Sequence, residues 1–316
     1  MIFKNTFKLL FSNFSLTYKT FIYKLIILLL ALGLAGTIAT PFLMHLVEID
    51  FFSYVVNQFA LMVQNINIGN IFIGFRNIFL EIATIFQSLN TELLINAIIS
   101  ICSFFVVYGL LGGVSELAVI DCLNSSLSSK TKLSFFKSLI SKIFKSFLMT
   151  IIKFVLSIPY IICVYLIFHF GFISYAQFGS LGLILVPMLM FIVFILITSI
   201  HLSLITGFSP SIIVNDEGVF KSLFIGFKAI KKKYFKVLST SLMICLSLAI
   251  LNLFVAVFSF FAGLIITIPI SYVVVCLFKI VSYYECNGMR YYVGENIRTP
   301  LKKCEQDKIK KLKYIV

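Results

Sequence analysis

Apolar residues recur along this chain in two rhythms. In six stretches they run almost unbroken: roughly Leu25–Val47, Leu93–Ala118, Phe147–Phe170, Leu181–Phe208, Val237–Ala262 and Leu264–Tyr283. Each is long enough for the ~20 apolar residues that a helix needs to cross a bilayer core. Between them, apolar residues return every three or four positions with lysine and serine in the gaps, which is the period of an amphipathic helix. In Ser134–Phe147 ("SFFKSLISKIFKSF"), Phe136, Leu139, Ile140, Ile143, Phe144 and Phe147 share one face, opposite Lys137, Lys142 and Lys145. In Gly218–Phe235 ("GVFKSLFIGFKAIKKKYF"), Phe220, Leu223, Phe224 and Phe227 oppose Lys221, Lys228 and Lys231. The opening "MIFKNTFKLLFSNF" repeats the pattern with Phe3, Phe7, Leu10, Phe11 and Phe14 against Lys4 and Lys8. Each segment precedes an odd-numbered apolar run, and helices of this kind lie in the plane of a membrane interface.

The predicted fold class is therefore an all-α integral membrane protein with six transmembrane helices and interfacial helices before the odd-numbered spans. One membrane domain covers 1–300, and a basic tail covers 301–316. The first apolar run follows four lysines but continues to about Val47, too long for a signal peptide, and so reads as an uncleaved span. The loop at 48–92 is amphipathic rather than polar. Ile71, Phe75, Ile78, Phe79, Ile82 and Phe86 share a face, and the loop either lies on the outer surface or folds over the bundle as a lid.

Charge orients this drawing. Of the 26 Lys and Arg, 25 fall in the N-terminal arm to Lys24, in Lys130–Lys153, in Lys221–Lys236 and from Lys279 onward, all on one side of six spans. Only Arg76 falls on the other. Because positive loops stay inside, both termini are expected in the cytoplasm of a bacterial cell, the chain being multi-pass in the cytoplasmic membrane. The net charge of +14 sits in a chain that is 60% hydrophobic and 12% charged. That combination points away from nucleic acid and toward the anionic inner leaflet, where each lysine contributes about 1 kcal/mol. Lys137, Lys142, Lys145, Lys228, Lys231, Lys232 and Lys233 are the candidate contacts with those lipids.

The tetrapeptide "FKSL" occurs at Phe136–Leu139 and again at Phe220–Leu223. With the N-terminal helix, it suggests three units, each an interfacial helix followed by a two-span hairpin. The alternative is that any loop between apolar spans tends to become amphipathic.

Catalytic patterns are missing from the sequence: there is no phosphate loop, no His-Glu-x-x-His, no Gly-x-Ser-x-Gly and no paired carboxylate inside a span. The seven Cys form no Cys-x-x-Cys pair and read as small apolar side chains, and no cofactor is expected. Ionisable or amide groups at membrane depth are the remaining candidates. Glu116, His201 and Asn252 are the candidate cavity-lining residues, with Glu116 and His201 as a pair that could handle a proton or a substrate. Lys153 and Lys279 read as lysines snorkelling to the interface. Gly109 with Gly113, and Ala31 with Ala35 and Ala39, form small-residue stripes that allow close helix packing, within the bundle or in a homo-oligomer.

The stretches "GGVSELAVIDCLNSSLSSKTKLSFFKSLISKIFKSFL" and "FSPSIIVNDEGVFKSLFIGFKAIKKKYFKVL", the latter followed by "GLIITIPISYVVVCLFKIVSYYE", resemble a group of bacterial six-helix membrane proteins. That group includes the membrane domain fused to some glycerophosphodiester phosphodiesterases. The likeness runs from Gly112 to Glu285, with Pro210, Asp216, Glu217, Thr267, Pro269 and Tyr283 at its marked positions. It implies a six-span domain without a catalytic residue to transfer.

Three functional readings follow. The first is a transporter-like protein that moves or shelters a solute or lipid, without enzymatic activity. The second is a scaffold that docks a protein partner on its basic cytoplasmic face. The third is an intramembrane lipid enzyme using Glu116 and His201.

Overall fold

The computed structural model of the chain describes residues 2–64, 68–177, 179–259, 261–293 and 296–298. The basic tail at 301–316 and the side chains of Ile71, Phe75 and Phe79 lie outside what is described. The elements in order are α1 (Ile2–Ser12), α2 (Phe14–Glu48), α3 (Phe51–Gln64), α4 (Ile68–Ser88), α5 (Thr91–Ser129), α6 (Phe135–Gln177), α7 (Gly179–Ile205), α8 (Phe208–Val214), α9 (Val219–Lys231), α10 (Tyr234–Phe258), α11 (Leu264–Asn287), β1 (Tyr291–Val293) and β2 (Asn296–Arg298). Among the described residues, six helices are long and apolar enough to cross a membrane. Many large side chains on them stand exposed, including Phe105, Phe154, Tyr165 and Phe254. Water does not tolerate apolar surface on that scale, whereas lipid does. The chain is thus an all-α, polytopic membrane protein.

Contacts divide the chain into two compact units. One unit holds the residues up to Leu25 and from Leu110 onward; the other is Ile26–Gly109. In the second unit, Ala31, Ala35 and Ala39 are buried as the small-residue stripe requires. Ser100 Oγ of α5 donates to the Ala35 carbonyl at 2.7 Å, a contact that only a close helix approach permits. In the same unit α3 packs on α4, so the described part of the 48–92 segment holds two helices.

The first unit is organised by α11. From Val273 to Cys286 nearly every side chain is buried, because α1, α8, α9 and α10 all pack against it. A helix buried on all sides belongs at the centre of a bundle. Helix α5 has 39 residues, roughly 58 Å at 1.5 Å per residue, nearly twice the ~30 Å of a hydrocarbon core. The excess is its C-terminal end, where Val119, Ile120, Leu123 and Leu127 enter the main core with Ile2, Leu9 and Phe135. Helix α6 reaches 43 residues because the amphipathic segment and the third span fuse without a break.

Helix α10 ends at Phe258, four residues before the sequence estimate. Ser259 explains the stop: its Oγ accepts the Gly263 N–H at 2.8 Å, closing the turn into α11. Phe261 adopts a left-handed φ of 68° there. Pro41, Pro159, Pro187 and Pro269 all lie within continuous helices. Pro210 sits in the first turn of α8, where its missing N–H would have had no helical partner.

The two "FKSL" copies take the same pose. Phe135 and Val219 begin their helices and are buried; the next Phe and Lys are exposed, Ser138 and Ser222 are buried, and the Leu is half-buried. Both helices therefore turn serine inward and phenylalanine outward. Helix α9 takes this further. Its inner face is Ser222, Gly226 and Ala229, and the carbonyl of Gly226 lies against Gly207 so closely that a Cβ on either glycine would strike backbone.

Candidate functional site

Among the described residues the buried charges are Lys24, Glu116, Lys279 and Glu285, and at Glu116 two lysines, Lys279 and the nearly buried Lys153, meet one carboxylate. Glu116 comes from α5, Lys153 from α6, Ser209 from the first turn of α8 and Lys279 from α11. Glu116 Oε1 accepts from Lys153 Nζ at 2.5 Å, from Lys279 Nζ at 2.7 Å and from Ser209 Oγ. Lys153 Nζ also donates to Ser209 Oγ at 2.5 Å. The side chains of Glu116 and Lys279 are under a tenth exposed. Four helices are thus tied to a single oxygen. An unpaired charge at this depth would cost several kcal/mol, so each group is held by the others.

A third lysine lies on the same side of the core. Lys24 Nζ donates to the Gly112 carbonyl at 2.7 Å and sits 3.9 Å from the Tyr272 ring centroid, a cation–π contact. Tyr272 shares a hydrogen bond with Ser115, one residue before Glu116. Gly112 has no side chain to separate its carbonyl from the ammonium. Gly113 next to it faces Thr150, where a Cβ would collide with the threonine hydroxyl. The glycine stripe therefore serves α5–α6 packing and the lysine seat, while open space lies beside Gly109. Two ammonium groups, those of Lys153 and Lys279, share the one Glu116 carboxylate, so this cluster holds one more positive than negative group.

The sequence treated Glu116 and His201 as a pair and Lys153 and Lys279 as snorkelling side chains. The contacts differ on both points. The lysines turn inward because Glu116 offers a counter-charge that the interface would not. His201 Nε2 instead meets Ser157 Oγ at 3.1 Å, and its ring stacks on Tyr160 with centroids 4.5 Å apart. Ser157 and His201 have the spacing of a nucleophile and a base. Ser157 lies within α6, where the neighbouring backbone N–H groups are engaged in the helix. Asn252 Nδ2 donates to Ser271 Oγ at 3.1 Å, joining α10 to α11, while its buried Oδ1 has no hydrogen-bond partner among the described residues. The three candidate cavity-lining residues do not come together.

Two cavities have other linings. One, of about 360 Å³, lies among Leu204, Phe227, Ile230, Lys231, Tyr234 and Phe235. A second, of about 270 Å³, is lined by apolar side chains and lies between α6 and α7 around Phe170, Gly171 and Met190. Among the described residues, no cluster of His, Cys, Asp and Glu could hold a metal ion.

The lysine candidates divide into two groups. Lys142 and Lys145 reach Asp216, at 3.9 and 3.0 Å. The hydrogen bond from Lys145, then the charges of Lys145 and Lys142, hold the Asp216 carboxyl below its ordinary range. Lys233 donates to the Glu285 carbonyl at 2.8 Å. Lys137, Lys228, Lys231 and Lys232 have no hydrogen bond or ion pair among the described residues. A second buried carboxylate, Glu285, anchors the C-terminal hairpin: Oε1 accepts from Tyr291 OH at 2.9 Å and Arg298 Nε at 2.7 Å. Tyr291 OH also accepts from Asn5 of α1 at 2.8 Å. Burial and the neighbouring Glu285 raise the Tyr291 hydroxyl above its ordinary value, so it stays a donor. No sequence pattern signals this lock, because Asn5 and Tyr291 are 286 positions apart. Comparison of the chain with family models, with curated proteins and with solved structures finds no match.

Proposed function

We propose that this chain is a carrier of the bacterial cytoplasmic membrane that binds anionic lipid at the inner leaflet and moves it, without catalysing a reaction. The observation that carries this reading is the shared pose of the two "FKSL" helices, which bury serine and expose phenylalanine beside lysine. In water that arrangement is unfavourable. At an anionic lipid surface, both exposed faces are satisfied. The excess of buried positive charge around Glu116 adds an electrostatic preference for anions at the same end of the unit. The distribution of 25 of 26 basic residues supports placing that end, with both termini, in the cytoplasm.

The first test is retention. The protein is purified in mild detergent, and its co-purified phospholipids are quantified against the host membrane. Enrichment of anionic over zwitterionic lipid supports the reading; a composition equal to the membrane's counts against it. A second reading, a scaffold that docks a partner on the basic face, is favoured by the Glu285–Arg298 lock, which ties β2 to α11. Under that reading anionic lipid is retained but not moved.

A further inference from the structure

The cavity among α7, α9 and α10 has the chemistry of one end of a phospholipid. Its walls are Leu204, Phe227, Ile230, Tyr234 and Phe235, and Lys231 is the charged residue in its lining. Ile230 closes the floor, being 2% exposed, whereas Phe227 and Phe235 are open to the surroundings. The break between α9 and α10 at Lys232 and Lys233 brings Tyr234 and Phe235 to this position. Lys231 and its neighbours Lys228 and Lys232 are exposed and hold no hydrogen bond or ion pair among the described residues. Lys233, by contrast, is engaged with the Glu285 carbonyl. The volume of about 360 Å³ is at the small end of ligand pockets, roughly 300–1,000 Å³, and suits part of an acyl chain with its headgroup outside.

We infer that this groove is a discrete binding site for one anionic phospholipid, its acyl chain against Phe227, Tyr234 and Phe235 and its phosphate at Lys231. Of the two cavities described, this one pairs apolar walls with a charged side chain. The other cavity, around Gly171 and Met190, has no charged lining residue and offers a headgroup nothing. The inference deepens the lipid-handling reading by locating where a lipid sits. It concerns occupancy rather than movement, so each can fail without the other.

The test uses a convenience of composition: the chain has no tryptophan. Phe227→Trp places a single fluorophore in the groove. Phe224→Trp places one on the same helix but outside the lining, at a position 76% exposed. Each variant is reconstituted in vesicles with increasing fractions of brominated phosphatidylglycerol or brominated phosphatidylcholine. The expected result is quenching of the fluorophore at position 227 at severalfold lower fractions of the anionic lipid, with no such preference at position 224. Lys231→Gln in the Phe227→Trp background should bring the two lipids to equal potency. Equal quenching by both lipids at position 227 would overturn the site. So would the same anionic preference at position 224, which would mean a general enrichment of anionic lipid around the protein. If Phe227→Trp fails to fold, Phe235→Trp, at the open edge of the groove, carries the same expectations.

Discussion

Replacing Glu116 by glutamine should destabilise the protein far more than removing either of its lysines. The carboxylate oxygen that receives Lys153 and Lys279 also keeps these two ammonium groups from repelling each other. With both ammonium groups on one oxygen at 2.5 and 2.7 Å, they are at most about 5 Å apart, and at an effective dielectric near 20 they repel by at least about 3 kcal/mol. Breaking a buried ion pair by deleting one partner costs about 3–5 kcal/mol, because the other charge is left uncompensated. Glu116→Gln does both at once, so a loss of at least about 4 kcal/mol is expected. Lys153→Met leaves a one-to-one pair between Glu116 and Lys279. It keeps the methylene packing and loses the hydrogen bonds to Glu116 and Ser209, offset in part by relief of the repulsion from Lys279, so about 1–2 kcal/mol is expected. Adding Lys153→Met to Glu116→Gln should then recover part of the loss, giving a large coupling energy in the double-mutant cycle. The assay is reversible chemical unfolding in detergent micelles. A Glu116→Gln loss within about 1 kcal/mol of wild type, or a Lys153→Met loss equal to it, would refute the shared-carboxylate argument.

Three further outcomes follow from the packing. Gly226→Ala should destabilise by about 2–3 kcal/mol, since the new methyl meets the Gly207 backbone, which cannot move aside as a side chain can; Gly218→Ala, with open space around it, serves as the control in the same unfolding assay. Tyr291→Phe should cost about 1–3 kcal/mol by removing the hydroxyl that joins Asn5 to Glu285, and hydrogen exchange of the α1 amides should rise with it. Asp216 has a folded-state value below its ordinary one. Its stabilising contribution is therefore complete above about pH 4 and lost as pH falls through the lower folded value. The difference in unfolding midpoint between wild type and Asp216→Asn should accordingly close toward acid pH.

The six spans could be read from the sequence because uninterrupted apolar runs have few alternatives in water. The amphipathic segments could be read because their period is local. The Ala31–Ala35–Ala39 stripe also declared its role, since small residues at helical spacing have one common use. The network could not be assembled in the same way. Glu116 was visible as a charge at depth, but Lys153 and Lys279 look like any interfacial lysine until four helices place them on one oxygen. The pairing of Glu116 with His201 failed for a related reason: a sequence supplies depth but not azimuth, and Tyr160 and Ser157 take the imidazole on another helix pair. The faces of α9 show a subtler limit. The three-and-four pattern identified a phenylalanine face and a lysine face, but the face that packs is the one with Ser222, Gly226 and Ala229, which hydropathy marks as neither. The Glu285–Tyr291–Arg298 lock rests on a three-residue strand pair too short for any periodic signal.

Movement of lipid across the bilayer tests the central claim most directly. Vesicles carrying a trace of headgroup-labelled fluorescent phosphatidylglycerol are treated with dithionite, which destroys only the label in the outer leaflet. In protein-free vesicles about half the signal should survive, because the label is divided between two leaflets. With the protein reconstituted, the signal should fall well below that plateau. It should fall more slowly when the label is on phosphatidylcholine. A plateau unchanged by the protein, with correctly folded chain recovered from the same vesicles, would contradict the carrier reading and leave the basic face as a place to hold lipid or a partner.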